Sequence, residues 1–192
     1  MKTDIILAGV GGQGILSIAA AIGLAAIENK LYIKQAEVHG MSQRGGDVQS
    51  NLRISDKEIR SDLIPLGKAD IILSIEPMES LRYMPYLAPN GRIITNNTPF
   101  INIPNYPYIE TVIDEIKKNP NNIIIDADRI AKSAGSARSS NMVILGAASH
   151  FLNISFEHIE NAVRTLFSSK GNDIVNMNIK CLNEGRNEVK FI

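Results

Sequence analysis

Near its start the chain reads Ile5-Ile6-Leu7-Ala8-Gly9-Val10-Gly11-Gly12-Gln13-Gly14, a short apolar run that passes directly into a glycine cluster. Residues 15–26 continue as an alanine-rich apolar segment. This order predicts a buried strand, a tight turn and then a helix. Gly9, Gly11 and Gly14 have the spacing G-x-G-x-x-G. In that motif the glycines make the turn, let a ligand approach the backbone and let helix and strand pack closely.

A glycine turn at the start of a helix predicts an anion site, because the first N–H groups of the helix have no partner within it. The candidate ligand-binding residues of this turn are Gly9, Gly11, Gly12, Gln13 and Gly14. The alternative is that the glycines only allow strand, turn and helix to pack closely. The motif alone leaves both interpretations open.

Apolar runs along the rest of the chain alternate between strand-like and helix-like lengths. They predict further strands over 31–38, 48–54, 69–75, 92–95 and 122–125. They predict helices over 79–87, 108–118, 142–151, 155–167 and 172–183. The strand over 48–54 has the alternation of a strand that can run antiparallel to its neighbour. The pattern predicts an α/β fold, a Rossmann-like doubly wound and mostly parallel sheet with helices on both faces, as a single domain over residues 1–192.

Composition limits the possible partners and compartments. The 20 basic and 20 acidic residues cancel, which argues against nucleic acid as a partner. One cysteine, Cys181, cannot form an internal disulfide or supply the ligands of an iron–sulfur cluster, and its small number fits a reducing, cytoplasmic compartment. The apolar segment 15–27 is too short to span a bilayer, and no N-terminal signal stands out, so no membrane association is expected.

A second unusual segment follows the predicted second strand: Glu37-Val38-His39-Gly40-Met41-Ser42-Gln43-Arg44-Gly45-Gly46-Asp47. It is too polar and glycine-rich for the core, so we expect a long loop over the carboxyl edge of the sheet, where open α/β sheets bind ligands. Glu37 stands near the position about 20 residues past the glycines where a nicotinamide-binding unit carries its ribose-binding acid. Arg44 suits a phosphate or a carboxylate, and the alternative is a salt bridge to Glu37 or Asp47.

The candidate site residues of this loop are His39, Gln43, Arg44, Gly45 and Gly46. His39 has two equally supported interpretations. It can act as a proton shuttle or bind an acidic ligand, or it can make a hydrogen bond that only shapes the loop. His150 lies in an apolar helix and is expected to be structural, whereas His158 is expected to be exposed. The three histidines lack the spacing of metal ligands, so no metal site is predicted.

Polar side chains at the predicted strand ends and at one helix start form a further candidate group: Glu76, Asn96, Asn97, Asp126 and Asn141. They can line one cleft, or they can cap helices and turns, as Asp and Asn commonly do. We assign Glu76, Asn97 and Asn141 to ligand binding, and Asp126 and Asp128 to capping. The sequence shows no recognisable Ser-His-Asp triad or Cys-His pair, and Cys181 is expected to be a packing residue.

Residues 9–14 and 37–46 together resemble the gamma-type subunit of the 2-oxoacid:ferredoxin oxidoreductase family, and the sequence His-Gly-Met-Ser-Gln-Arg-Gly-Gly is most similar to its indolepyruvate form. Further matches lie at 76–77, 126–127 and 140–147, and the likeness runs from residue 4 to about residue 183. These paired motifs are more specific than the glycine turn alone.

The resemblance implies a function that this chain does not perform alone. The family's holoenzyme decarboxylates a 2-oxoacid on thiamine diphosphate, passes electrons through iron–sulfur clusters to ferredoxin and yields an acyl-coenzyme A. In the indolepyruvate form, thiamine diphosphate, Mg and the 4Fe-4S clusters belong to a large alpha subunit, which also meets ferredoxin. The small subunit binds no cofactor stably, helps to complete the active site and presents coenzyme A, with His39 and Arg44 as candidates at the shared site.

Two other interpretations stay open at this stage. One is a free-standing, NAD-type nucleotide-binding oxidoreductase domain that uses Glu37 on a ribose. The other is a scaffolding subunit that binds no ligand. The sequence of this subunit leaves open which 2-oxoacid the complex would oxidise.

Overall fold

The computed structural model describes residues 1–39 and 45–189, without the side chain of His39. The strands within these residues are β1 (Lys2–Val10), β2 (Tyr32–His39), β3 (Asp47–Ser55), β4 (Ala69–Ser74), β5 (Leu87–Asn96) and β6 (Asn122–Ile125). The α-helices are α1 (Ile15–Glu28), α2 (Pro77–Arg82), α3 (Ile109–Lys117), α4 (Ala127–Ala134), α5 (Ser140–Ala148), α6 (Phe156–Phe167) and α7 (Asn172–Glu188). Short 3-10 helices cover Met84–Tyr86, Ser149–Phe151 and Ser168–Lys170.

All six strands form one mixed sheet in the order β2-β3-β1-β4-β5-β6. Strands β1, β4, β5 and β6 pair in parallel, whereas β3 is antiparallel to both β1 and β2. Strand β2 therefore points the same way as β1 but is separated from it by β3. The predicted α/β fold and the antiparallel direction of the strand over 48–54 are confirmed.

Helices cover both faces of the sheet because β1 is apolar on both sides. Ile5 and Leu7 belong to the large core cluster that α1 and α4–α7 complete. Ile6 and Ala8 point to the opposite face, where they pack with Ile72 and Tyr83. Helix α3 covers the end of that second face at β5. No helix among the described residues is both long and apolar enough to cross a bilayer.

Helix α2 is shorter than predicted. The sequence predicted a helix over 79–87, but α2 ends at Arg82 and β5 begins at Leu87. Pro85 explains the stop, because proline has no N–H for the helical ladder and disfavours the helical conformation of the residue before it. Residues 89–91, predicted to be a break, lie within β5, where the pairing with β4 shifts register.

Helix α4 was missing from the prediction. It lies between Asp126, which caps its first turn, and Gly135, which ends it in the left-handed region at φ 105°. Its apolar residues form one short stripe that buries Ile130 and Ala131 against the large core cluster. An eight-residue helix carries little periodic signal, and the acidic residues at 126 and 128 resemble an isolated turn.

Candidate functional site

The turn between β1 and α1 is closed by its own residues. The Val10 N–H donates to Gln13 Oε1 over 2.8 Å, and the Gln13 N–H donates to the Val10 carbonyl over 3.1 Å. A Cβ on Gly9 would lie 2.8 Å from Gln13 Oε1 and 2.9 Å from Ile15 Cδ1. Gly9 and Gln13 therefore have structural tasks in this turn, and any ligand contact by them stays a prediction.

Helix α5 is attached to the same turn by Asn141. The buried Asn141 side chain donates from Nδ2 to the Gly14 carbonyl over 3.2 Å and accepts the Met142 N–H at Oδ1 over 3.0 Å. Gly14 has a φ of 82°, which favours glycine, and Gly12 has a φ of 103°. Asn141, a predicted site residue that is far from the glycine turn in the sequence, therefore lies directly against that turn in the structure.

The start of α1 has no side-chain cap. Its N-cap is Gly14, no side chain of residues 1–39 and 45–189 accepts a capping hydrogen bond there, and its first turn carries no acidic residue. Capping normally satisfies the first N–H groups of a helix, and the positive end of the helix dipole favours a negative charge. The geometry of α1 is therefore compatible with the predicted anion site.

The two glycine-rich motifs are hydrogen-bonded to each other. The Gly11 N–H donates to the Gly46 carbonyl over 2.8 Å, and the Gly45 N–H donates to the Gly11 carbonyl over 3.3 Å. Gly45 and Gly46 thus lie beside the turn, which agrees with the prediction that their segment lies at the carboxyl edge of the sheet. Gln43 and Arg44 lie outside the described residues, as does the side chain of His39, so their roles stay predictions.

Glu76, at the end of β4, holds a segment that crosses the carboxyl edge. We call residues 97–108 the strap. Glu76 Oε1 accepts the Phe100 N–H over 3.3 Å and the Tyr106 hydroxyl over 2.5 Å. Its Oε2 accepts the Glu79 N–H over 2.9 Å and so caps α2. The carboxylate of this buried residue is used by the protein itself, and a ligand role for Glu76 stays a prediction.

Burial sets the acidity of Glu76 and its partner. Desolvation raises the pKa of Glu76 above its ordinary value of 4.5, although the hydrogen bonds from Tyr106, Glu79 and Phe100 each work against that rise. Burial, followed by the hydrogen bond to Glu76, also raises the pKa of Tyr106. The Tyr106 hydroxyl therefore stays a proton donor to Glu76 at every physiological pH.

Polar residues at the ends of β5 and β6 bond to one another. Asn96 Oδ1 accepts the N–H groups of Asn97 and Ala127, each over 3.0 Å, and Asn96 Nδ2 donates to Asp128 over 3.0 Å. Asp126 accepts the Arg129 N–H over 3.0 Å as the cap of α4, as predicted. The capping role predicted for Asp128 is wrong, because Asp128 lies inside the first turn of α4 and accepts from Asn96. These residues meet at one edge, but their bonds are structural.

Asn97 lies in the same group and is partly buried. Its N–H donates to the Ile125 carbonyl over 2.9 Å, and its Oδ1 accepts the Thr98 hydroxyl over 3.1 Å. The backbone bond ties the first residue of the strap to β6. A ligand role for the Asn97 side chain stays a prediction.

The strand order argues against an NAD-type use of Glu37. In a dinucleotide-binding fold the strand that carries the acidic residue lies next to the strand that carries the glycine turn. Here β3 lies between them, and Glu37 pairs with Ser50 of β3. Two strand spacings place β2 about 10 Å from β1. Glu37 Oε2 is buried and has no hydrogen-bond partner among the residues that the structure describes.

On the face of the sheet opposite α1, a polar group lies beside the turn that the sequence did not single out. Arg82 pairs with the buried Glu79 over 2.7 Å, and the hydroxyl of the buried Tyr83 faces Asp47. Burial, followed by the charge of Asp47, raises the pKa of Tyr83 to about 12. The ion pair could have been predicted from the sequence, because Glu79 and Arg82 are three positions apart within a predicted helix.

The cysteine and the two described histidine side chains have structural roles. Cys181 is fully buried in α7, and burial raises its pKa, so the predicted packing role is confirmed. His150 Nε2 lies 3.0 Å from the Arg186 carbonyl, as fits a structural histidine. His158 is half-buried and bonds through Nδ1 to Asn29 over 2.7 Å, so its predicted exposure is wrong. Within residues 1–39 and 45–189, no three His, Cys, Asp or Glu side chains form a metal site.

Comparisons with known proteins agree with this architecture. Residues 4–188 match the family described as pyruvate ferredoxin/flavodoxin oxidoreductase. The chain is 38% identical to the indolepyruvate oxidoreductase subunit IorB of Archaeoglobus fulgidus, over 98% of this chain and 96% of the relative. It is 36% identical to the IorB subunit of Pyrococcus horikoshii, over 89% of each chain. The solved pyruvate oxidoreductase subunit PORC of Thermotoga maritima shares the fold, with a TM-score of 0.73, 23% identity and coverage of 98% and 97%.

Proposed function

The chain belongs to the pyruvate ferredoxin/flavodoxin oxidoreductase family, and on that basis we propose that it is the small subunit of an indolepyruvate-type 2-oxoacid:ferredoxin oxidoreductase. One observation carries this proposal. The similarity to the IorB subunit of Archaeoglobus fulgidus extends over 98% of this chain and 96% of that subunit. Indolepyruvate and related arylpyruvates are therefore the proposed substrates of the complex.

The proposed reaction needs groups that this chain is not equipped to hold. A 2-oxoacid loses CO₂, and the electron pair of the broken C–C bond passes from the acyl carbon to ferredoxin, one electron at a time. The oxidised acyl carbon then bonds to the coenzyme A sulfur, whose S–H proton is released. Thiamine diphosphate supplies the carbanion chemistry, and iron–sulfur clusters carry the electrons. A 4Fe-4S cluster needs four cysteine ligands, whereas this chain has one, which is buried. We assign thiamine diphosphate, Mg and the clusters to a large alpha subunit in the cytoplasm, which would also meet ferredoxin.

The contribution of this chain is proposed to be the binding of coenzyme A. No side chain in the described part of the chain caps the start of α1, so its N–H groups suit a phosphate of coenzyme A. Gly45 and Gly46 are bonded to Gly11 beside that helix start. Gln43 and Arg44 directly precede Gly45 in the sequence, and the Arg44 guanidinium is proposed to add a charge-assisted contact to a phosphate. His39 is proposed to lie at the site shared with the alpha subunit.

The proposal is tested by reconstitution. The purified chain, the purified alpha subunit and their mixture are supplied with indolepyruvate, coenzyme A and thiamine diphosphate, and dye reduction is followed. We expect turnover only in the mixture, and only with coenzyme A present. If the lone chain turned over with NAD as the electron acceptor in place of the dye, the nucleotide-binding interpretation would be supported instead. A complex whose coenzyme A dependence is unchanged by any substitution in residues 9–14 or 43–46 would support a scaffolding role. Phenylpyruvate and pyruvate, run in parallel, define the 2-oxoacid range.

A further inference from the structure

The strap presents large apolar side chains to solvent at the carboxyl edge of the sheet. Tyr108 is 85% exposed, Ile101 72%, Phe100 44% and Ile103 37%. With side chains of this size, the exposed fractions correspond to roughly 450 Å² of mostly apolar surface. That area is in the range of the largest apolar patch on a typical monomeric protein, and such a patch is often functional.

The strap is held in place by hydrogen bonds that leave its apolar side chains outside. Glu76 binds the Phe100 N–H and the Tyr106 hydroxyl on one side. Asn102 Nδ2 donates to the Gly45 carbonyl over 2.7 Å on the other side. A segment fixed at both sides loses little further conformational freedom on binding, and such preorganisation favours association.

The charge of the strap identifies the chemistry of its partner. Residues 96–109 contain no Asp, Glu, Lys or Arg, although 21% of the whole chain is charged. Phosphates, nucleic acids and anionic lipid surfaces are recognised through Lys and Arg, which this segment lacks. Charge depletion with aromatic enrichment is the composition of the buried centre of a protein–protein interface.

We propose that the strap is the docking surface for the large alpha subunit, which would cover Phe100, Ile101, Ile103 and Tyr108 with an apolar, uncharged surface of its own. This inference rests on the proposed function, since it takes the alpha subunit as the partner. The bond between Asn102 and Gly45 connects the strap to a residue that is itself hydrogen-bonded to Gly11 of the glycine turn. Docking there would place the alpha subunit beside the proposed coenzyme A site.

The test compares strap variants with matched variants at the other end of the sheet. Ile101→Asp and Tyr108→Asp place a charge in the proposed interface. Leu66→Asp and Ile27→Asp place the same charge on side chains that are 65% and 60% exposed and lie toward the amino edge. Each purified variant is titrated with the cofactor-loaded alpha subunit, and the dissociation constant is measured by calorimetry. Melting temperatures of the isolated variants verify that each is folded.

We expect each strap variant to bind the alpha subunit about tenfold or more weakly, because central interface side chains carry most of the binding energy. The two matched variants should change the dissociation constant by less than about threefold. Unchanged binding by both strap variants would overturn the docking site while leaving the proposed function intact. Failure of the unmodified chain to bind the alpha subunit would overturn both. Loss of self-association in the strap variants, with unchanged binding to the alpha subunit, would assign the surface to a second copy of this chain.

Discussion

Asn141 Nδ2 lies 3.2 Å from the Gly14 carbonyl oxygen and occupies the space into which a side chain at position 14 would extend. A Cβ built on Gly14 would be 2.5 Å from that nitrogen. The pair joins the start of α1 to the start of α5, although the two residues are 127 positions apart in the chain. The last glycine of the turn is therefore required by tertiary packing as well as by its own backbone conformation.

Gly14→Ala should destabilise the protein by about 2–4 kcal/mol, because left-handed backbone strain adds to the overlap with Asn141. Gly12→Ala is the matched control. Gly12 also has a positive φ, but no atom of the described residues lies within 4 Å of its Cβ position, so only the strain of about 1–2 kcal/mol is expected. Urea unfolding of both variants measures the difference. Equal losses would show that Asn141 moves aside without cost.

Gly146→Ala and Gly185→Ala should each destabilise the protein by about 3 kcal/mol or more. Helices α5 and α7 cross so closely that a Cβ at Gly146 would overlap the Leu182 carbonyl, and one at Gly185 would overlap the Val143 carbonyl. Backbone atoms cannot turn away as side chains do, so the helices must separate. Glycine to alanine at an ordinary helix position stabilises by about 1 kcal/mol. A gain in melting temperature for either variant would therefore contradict this packing.

Tyr106→Phe should cost about 1–3 kcal/mol, because it leaves Glu76 Oε1 without its hydroxyl donor in a buried position. It should also free the strap for cleavage in limited proteolysis. Tyr108→Phe is the control, since Tyr108 is 85% exposed and its variant should stay within about 0.5 kcal/mol of the parent. Similar unfolding energies and cleavage rates for the two variants would show that Glu76 does not hold the strap.

The raised pKa of Glu76 predicts a defined pH dependence. The folded protein holds the proton of Glu76 more tightly than the unfolded chain, so this residue's contribution to stability falls as pH rises from 4.5 through the folded-state pKa. Glu76→Gln cannot titrate. The free energy of unfolding of the unmodified protein, relative to this variant, should therefore increase as pH is lowered from 8 to 5. A difference that stays constant, or that decreases over this range, would contradict the assignment.

Arg44→Ala in the reconstituted complex should raise the KM for coenzyme A by roughly ten- to a hundredfold, the loss of one charge-assisted contact. The KM for the 2-oxoacid and the melting temperature should change little. Arg164→Ala, which removes an arginine from the exposed face of α6, is the control. An unchanged KM for coenzyme A together with weaker subunit binding would give Arg44 a role in the loop or in the subunit contact.

The glycine turn and the alternation of strands and helices were readable from the sequence because they are local. Residues 5–14 carry an apolar run, a turn and a helix start in direct succession, and the structure has β1, the turn and α1 there. The end of α2 also has a local signal, Pro85. The apolar residues after Arg82 continue the helical pattern, however, and so the sequence predicted a longer helix. Helix α4 was too short for its periodicity to stand out.

The partners of the candidate residues were not readable, because strand order and tertiary contacts create them. The insertion of β3 between β1 and β2 brings Gly46 to Gly11 and takes Glu37 away from the strand with the turn. Glu76 was selected as a polar residue at a strand end, but two of its hydrogen bonds come from a segment that begins more than twenty residues later. A polar residue at a strand end has the same sequence signature whether it binds a ligand or holds a loop.

The position of β3 also sets how the sheet can assemble. Strands β2 and β3 are consecutive and antiparallel, so they can pair as a hairpin with a small loss of chain entropy. The pairs between β1 and β3 close a much longer loop that contains α1 and β2, and they must form later or together with the packing of α1. In the complete sheet, β2 is an edge strand, and among the described strands it pairs only with β3. Its amide hydrogens should exchange with solvent before those of β1, the strand at the centre of the sheet.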